Sequence, residues 1–311
     1  MFTDRHNIPT PTHVLFDDEH KLSEYLKRHE GERFVVKSNA IAPSRVMIDS
    51  SDYNSLMEFS KSILATSPII LEEHLNGLPI TVTLFLDNKG YLALPTCSDY
   101  MKSEEGGLPT GGMGSICPVP LQEEVSQALV DTIIEPTLFG LKAERMSYKG
   151  VLTISVIITK RGPILVDYHV RFNDPAAQAF VPLIKTDIVD ILNAMKHDTL
   201  SSITLEASTK STVALVVASE GYPEKPIIGK VLDPMPAALM LNTFEGAPRY
   251  YFGGVQEKEG ALVTTGGRCV TVVGVGDNIL NAKKNAYKGG KHGHFEGAWD
   301  RKDIGDRFFE N

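Results

Sequence analysis

The chain has 311 residues, with 31 Lys+Arg against 39 Asp+Glu and a formal net charge of −8. That length exceeds what one hydrophobic core needs, so two or three compact units are expected. With 42% apolar and 23% charged residues, the composition is that of a water-exposed globular protein, and the acidic balance excludes capture of nucleic acid or anionic lipid by a global positive field. No run approaches the roughly 20 apolar residues of a membrane span, and residues 1–6 carry no apolar signal core. Cys97, Cys117 and Cys269 are widely spaced, with no C-x-x-C pair, which is the pattern of a reduced, cytoplasmic protein.

In chain order, Asp17 and Asp18 ahead of Leu22, Tyr25 and Leu26 predict a helix with an acidic start. Residues 33–37 read as a strand. Ser50 and Ser51 are candidate caps for a helix carrying Leu56, Met57, Phe59 and Ile63. Ile69, Ile70 and Leu71 form a short strand running into Glu72 and Glu73, closing a small α+β unit over residues 12–76. Residues 80–86 and 91–95 predict a hairpin about Asp87-Asn88-Lys89-Gly90. A glycine-rich loop is expected over 106–114, then a helix over 121–144 kinked at Pro136. Two β runs, 151–159 and 164–168, flank the turn Lys160-Arg161-Gly162, and an amphipathic helix covers 184–195; residues 77–200 make a central unit. The Ser/Thr-rich stretch 201–212 marks a boundary. Beyond it, in a unit of residues 201–311, lie strands at 213–218, 262–264 and 269–273 and a helix capped by Asp277.

Four constellations bear on chemistry. In Thr110-Gly111-Gly112-Met113-Gly114, three glycines in five residues let backbone N–H groups approach an anion; an ordinary wide turn explains them as well. Asp167, His169 and Arg171 alternate along a strand and share one face. Beside a metal or phosphate the carboxylate would hold the cation and the guanidinium the anion, whereas an exposed sheet face with a surface ion pair is the plainer alternative. Glu72 and Glu73 end a strand at a linker, where a solvated strand end competes with a nucleotide hinge. Lys37 ends another strand, but the residues after it, Ser38 to Arg45, contain no glycine, and Pro43 donates no N–H, so they make a poor phosphate cradle. His292 and His294 lack a third ligand nearby and read as surface residues.

Taken in order, several motifs resemble glycinamide ribonucleotide synthetase (phosphoribosylamine–glycine ligase) of the ATP-grasp superfamily, in a divergent form nearest its eukaryotic branch. They are Thr110-Gly111-Gly112-Met113-Gly114 with Pro118 and Pro120; Arg171-Phe172-x-Asp174-Pro175-x-x-Gln178; Lys185-x-Asp187; Gly221-Tyr222-Pro223; Thr264-x-Gly266-Gly267-Arg268; and Phe295-Glu296-Gly297-Ala298 before Arg301-Lys302-Asp303-Ile304-Gly305. The resemblance covers nearly the whole chain. It implies an α+β fold: an ATP-grasp lid at 12–76 and a central antiparallel sheet domain at 77–200, followed by a C-terminal α/β domain at 201–311. Residues 1–11 would be the linker from the family's N-terminal domain, which is expected to be missing. The implied cofactors are ATP and Mg (or Mn). The implied substrates are glycine and phosphoribosylamine, joined through an acyl phosphate in de novo purine biosynthesis, with a purine-pathway enzyme as a partner and neither nucleic acid nor membrane.

Carried over by position, the resemblance assigns Lys37 to ATP phosphates, Glu72, Glu73 and Leu75 to the adenine and ribose hinge, and Asp99, Thr110, Gly111, Gly112 and Gly114 to the substrate side. Arg171 and Asp174 take the catalytic positions, and Asp167 and His169 the metal positions. The chain departs from the family at several of these places. Residues 40–46 lack the family's glycines, His169 replaces an asparagine, Ala176 replaces a glutamate, and Tyr100-Met101-Lys102 replaces His-Lys-Arg. Neutral imidazole is a poor ligand for magnesium. These losses fall on ligand positions while packing signals survive, so the expectation is a degenerate ligase-like protein. The alternatives are a non-catalytic paralogue acting as a binding or scaffold module, or a ligase of changed substrate.

Overall fold

The computed structural model describes residues 2–38, 47–234 and 247–309. A short helix α1 (Phe2–Arg5) precedes the first unit, which contains β1 (His13–Phe16), α2 (Glu19–Arg28), β2 (Phe34–Ser38), β3 (Met47–Ser50), α3 (Tyr53–Leu64) and β4 (Ile69–Glu73). Its antiparallel sheet runs in the order β1-β4-β2-β3, leaving β3 at one edge. Alternation along the strands sends Phe34, Val36, Ile48, Ile69 and Leu71 to one face, where they pack with Leu22 and Leu26 of α2 and Leu56 and Met57 of α3. Each such side chain contributes about 1.5–3 kcal/mol on burial. Asp18 caps α2 by accepting from the Lys21 N–H at 2.9 Å. The cap of α3 is Asp52, which accepts from the Ser55 N–H at 2.7 Å, and not Ser50 or Ser51. Ser50 is still in the ladder, opposite Phe34.

The body follows with β5 (Leu78–Leu86), β6 (Tyr91–Ala93), β7 (Ser98–Lys102), β8 (Pro109–Cys117), α4 (Glu123–Leu129), α5 (Glu135–Ala143), β9 (Gly150–Thr159), β10 (Gly162–His169), α6 (Ala176–Phe180) and α7 (Ile188–Lys196). Then come β11 (Ser211–Ala218), β12 (Arg249–Phe252), β13 (Val255–Lys258), β14 (Ala261–Thr264), β15 (Arg268–Gly276) and α8 (Ile279–Gly290). One sheet has the order β10-β9-β5-β6, a second β12-β15-β11-β8-β7, and β13 pairs with β14 alone. Between the two larger sheets, Ile80, Val82 and Leu84 of β5, Ile154 and Val156 of β9, Val213 and Leu215 of β11, and Ala282 and Ala286 of α8 make one core. The second sheet runs across residue 201, so the ranges 77–200 and 201–311 share strands: β11 pairs with β8 from Thr212–Cys117 to Leu215–Gly114. α8 lies against β15 where Gly274 has no side chain; a Cβ there would stand 2.2 Å from the Ala282 oxygen and the Ala286 nitrogen.

Several sequence expectations shift. The glycine-rich stretch is a loop only to Leu108; from Pro109 it is strand β8. Residues 123–143 pass through a π-helical turn at Val130–Ile134, and Pro136 follows directly at the start of α5. α7 begins at Ile188 because Asp187 caps it, accepting from the Val189 N–H at 2.8 Å; Ile184 instead bridges Ala207. α8 is capped by Asn278 and not Asp277. Residues 2–9 are docked on the body: Ile8 is buried in the main core and the Arg5 guanidinium grips Glu144 at 2.8 and 2.9 Å. Arg5 and His6 together hold the Glu144 carboxyl down at about 2. The glycine-free stretch after Lys37, residues 39–45, lies outside the described residues, as do 235–246.

Candidate functional site

The register of the two antiparallel sheets builds a cleft from two facing surfaces. On the lid, Val35 pairs with Asp49 and with Glu72, and Lys37 pairs with Met47 and Ile70. These six side chains share the face opposite the lid core, and Arg33 and His74 continue it past the strand ends. On the body, Thr81 pairs with Ser155, which pairs with Asp167; Thr83 pairs with Thr153, which pairs with His169. A bulge between Leu165 and Asp167 sets that register. Two rows of hydroxyls thus end in a carboxylate and an imidazole. The surfaces meet where the Lys37 Nζ donates to the Val166 carbonyl at 3.2 Å and where Lys102 Nζ of β7 reaches Asp49 at 2.6 Å.

Several charged groups on the lid side of this cleft are matched within the protein. Lys37 Nζ is 2.8 Å from the Glu72 carboxylate. Asp49 takes the Arg33 Nε at 2.7 Å, His74 Nδ1 at 3.1 Å and Lys102 on its other oxygen. Burial pushes the Asp49 carboxyl up, but the bonds from Arg33 and Lys102 outweigh it and leave it below the ordinary value. Glu73 lies on the opposite lid face and accepts from the Thr12 N–H at 2.9 Å and from Arg161 at 2.7 Å. Those bonds likewise overcome burial and keep Glu73 ionised to lower pH than usual. Leu75 is half-buried in the linker between lid and body. Lys37 and Glu72 are therefore brought together, while Glu73 is engaged in tying β4 to the β9–β10 turn.

Asp99 on β7 is buried, and its Oδ2 accepts from the Thr81 hydroxyl at 2.7 Å. Its Oδ1 has no partner, nor does the buried hydroxyl of Ser115 across the ladder. Burial raises the Asp99 pKa, and the nearby Asp174 charge adds to the rise. With the folded value above the unfolded one, this group favours the fold below the unfolded pKa and loses that contribution as pH climbs through the folded pKa. Asp99→Asn is accordingly expected to raise the urea midpoint at pH 7 and to lose that advantage at pH 3. A midpoint lowered equally at both pH values would contradict this account.

The glycines of β8 are occupied as well. Thr110 donates its hydroxyl to the Met101 carbonyl at 3.1 Å and accepts from the Gly112 N–H at 3.0 Å. The Gly111 N–H donates to the Tyr222 hydroxyl at 2.8 Å. Gly114 faces inward, where a Cβ would be 2.6 Å from Ile304. Asp174 is gripped not by Arg171 but by Arg268, whose Nη1 lies 2.7 Å from its Oδ1 and 3.0 Å from the Gly111 carbonyl. Arg171 instead donates to the Phe172 carbonyl at 2.9 Å and the Asn173 side chain at 3.2 Å. Asp174, Gln178, Tyr222, Gly267 and Arg268 line a cleft of about 460 Å³.

Sequence reasoning quoted Arg268 and Tyr222 only as motif residues and missed Asp49 altogether. The signal for the first two was present, since both lie in glycine motifs of the C-terminal part.

Asp167 and His169 share a face, as their spacing requires. Asp167 is exposed, and its Oδ1 accepts from the Tyr168 N–H at 2.8 Å. Among the described residues no three His, Cys, Asp or Glu side chains gather as a metal centre. Magnesium in a nucleotide site takes one or two carboxylates together with phosphate oxygens. Asp167 would offer one, and an imidazole such as that of His169 would be a poor second, so the donor set fits that ion incompletely.

A small lid sheet facing a body sheet across a hinge at residues 74–77, with a lysine reaching from one to the other, defines the ATP-grasp class of folds. The family comparison gives the member. Residues 1–177 match the family model of the phosphoribosylglycinamide synthetase ATP-grasp (A) domain, and residues 212–307 that of its C domain. The chain belongs to the phosphoribosylamine–glycine ligase family, whose reaction lies in purine biosynthesis. It is 31% identical to the phosphoribosylamine–glycine ligase of Rhodopirellula baltica over 97% of this chain and 72% of that protein. The same enzyme of Caldanaerobacter subterraneus is 32% identical over 96% and 72% respectively. The crystal structure of the Thermotoga maritima ligase superposes with a TM-score of 0.83 at 26% identity, covering 97% of this chain and 76% of that one.

Proposed function

We propose that this chain is a phosphoribosylamine–glycine ligase-like protein whose nucleotide cleft is degenerate: the family's fold is retained, and ATP binding and turnover are weak or lost. On this reading Lys37, Glu72, Glu73 and Leu75 mark the nucleotide position. Asp167 and His169 mark the metal position, Asp99 and Thr110 to Gly112 the substrate side, and Arg171 and Asp174 the catalytic region. The family's chemistry activates the glycine carboxylate as an acyl phosphate for attack by the phosphoribosylamine nitrogen. That step needs cations free to neutralise phosphate charge.

The observation that carries the reading is that four cations at the cleft are already bonded to carboxylates: Lys37 to Glu72, Arg33 and Lys102 to Asp49, and Arg268 to Asp174. Displacing a hydrogen bond to a charged group costs about 1.5–3 kcal/mol. At 1.4 kcal/mol per tenfold, each displaced pair lowers polyphosphate affinity by about 10- to 100-fold. Thermal unfolding with and without Mg-ATP tests this, because a ligand of the folded state raises apparent stability once its concentration exceeds Kd. At about 1 mM Mg-ATP the expected shift is negligible, and glycine-dependent ADP release, with the amine generated in situ, should match a Lys37→Ala control. A shift of several degrees, or turnover abolished by Lys37→Ala, would refute the degenerate reading.

A further inference from the structure

The lid and the body each present an edge strand at their meeting point. β3 ends the lid order β1-β4-β2-β3, and β7 ends the body order β12-β15-β11-β8-β7. Asp49 sits on the first edge and Lys102 on the second, 2.6 Å apart. The Asp49 side chain is only 5% exposed, and it also holds Arg33 and His74 of its own lid. Lys102 is fixed from behind, since its carbonyl accepts from the buried Arg301 at 2.9 Å. An ion pair joining exposed surfaces contributes little. This one is different: its carboxylate is buried and holds an arginine, a histidine and a lysine side chain, and its lysine is anchored through its own backbone. Other ties between lid strands and body include Lys37 to the Val166 carbonyl and Glu73 to Arg161.

We propose that Asp49 is a latch that closes the lid on the body through Lys102 in the absence of ligand, and that a polyphosphate entering the cleft competes with it for Lys102 and Arg33. The second half rests on the nucleotide reading above; the first does not. A carboxylate that gathers an arginine, a histidine and a lysine at 2.6–3.1 Å makes the contacts a phosphate oxygen would make. The lid therefore carries its own counter-ion, and closure needs no nucleotide.

The test uses the full chain and two variants. Lys102→Gln cuts the tie to the body and leaves Asp49 compensated inside the lid by Arg33 and His74, so it keeps the fold even where Asp49→Asn does not. Without ligand, hydrogen exchange at residues 47–50 and 98–102 should rise at least about tenfold in both variants, the signature of a local opening. Exchange unchanged in Lys102→Gln overturns the latch. Titration with inorganic tripolyphosphate should show Asp49→Asn binding at least about tenfold tighter than the parent, with the gain lost in the Asp49→Asn, Lys102→Gln double variant. Loosened edges without any tripolyphosphate binding uphold the latch and overturn the competition, while the degenerate reading, which expects negligible Mg-ATP binding, falls only to the thermal-shift or turnover results named above. Tighter binding that survives loss of Lys102 overturns the competition alone.

Discussion

Gly112→Ala is expected to cost about 2–5 kcal/mol of stability, against about 1–2 kcal/mol for Gly106→Ala six residues earlier. Both glycines have positive φ, +115° at Gly112 and +73° at Gly106, so any side chain at either position meets backbone strain. Only Gly112 also lacks room. A Cβ there would stand 2.7 Å from Pro175 Cδ and 2.8 Å from the Asp174 carbonyl, whereas nothing lies within 4 Å at Gly106. Neither obstacle is the free end of a flexible side chain. β8 and the turn at residues 173–175 would have to move apart, and Arg268 bridges those two segments through the Gly111 carbonyl and the Asp174 carboxylate. The strain term of about 1–2 kcal/mol is common to both variants, and the overpacking term of about 1–3 kcal/mol is confined to Gly112. Urea midpoints of the two variants measure the difference directly. Equal losses would mean that the close approach of β8 to Asp174 is not a constraint on the fold.

The lid was readable because its signals are local. Alternating Phe34-Val35-Val36-Lys37 and Ile69-Ile70-Leu71-Glu72 show which side chains face the helices and which face the cleft, and Asp18 announces α2 three residues before its bonded N–H. β8 was hidden because glycine weakens strand propensity, so Thr110 to Gly114 reads as a loop although the strand runs from Pro109 to Cys117, with Gly114 paired to Leu215 on one side and Tyr100 on the other. The site divides in the same way. Asp167 and His169 share a face by spacing alone. The partner of Asp174 lies 94 residues away and that of Asp49 lies 53 residues away across a lid–body contact. No spacing rule assigns Asp174 to Arg268 in preference to Arg171, which is three residues off and points elsewhere. The pairing of cleft cations with carboxylates, which carries the functional reading, is tertiary information. The sequence showed the altered ligand positions but not that the surviving cations were already engaged.

Arg301→Ala is the other substitution with a large expected effect, about 3 kcal/mol, and it reaches the cleft from behind. The Arg301 side chain is 3% exposed, with Nε 2.7 Å and Nη2 2.5 Å from the Asp303 carboxylate. Its Nη1 bonds the Lys102 carbonyl at 2.9 Å, and its guanidinium lies 5.0 Å from the centre of the Tyr100 ring. Breaking a buried pair by removing one partner typically costs about 3–5 kcal/mol. Asp303 is 44% exposed and regains some hydration, which places the expectation at the low end of that range. Arg301→Lys restores the charge without the two-pronged geometry and should recover only part of the loss. The pH dependence separates the ion pair from simple packing. Arg301 is the main cause holding the Asp303 carboxyl below the ordinary value. A depressed folded pKa contributes stability above the unfolded value, and that contribution disappears as pH falls through the folded one. The gap in unfolding free energy between the parent and Arg301→Ala should therefore narrow from pH 7 to pH 3. A gap that stays constant would assign the whole effect to the cavity beside Tyr100. Because the same arginine fixes the backbone of Lys102, Arg301→Ala should also loosen the Asp49–Lys102 contact, so that exchange at residues 98–102 rises in a variant altered 199 residues away.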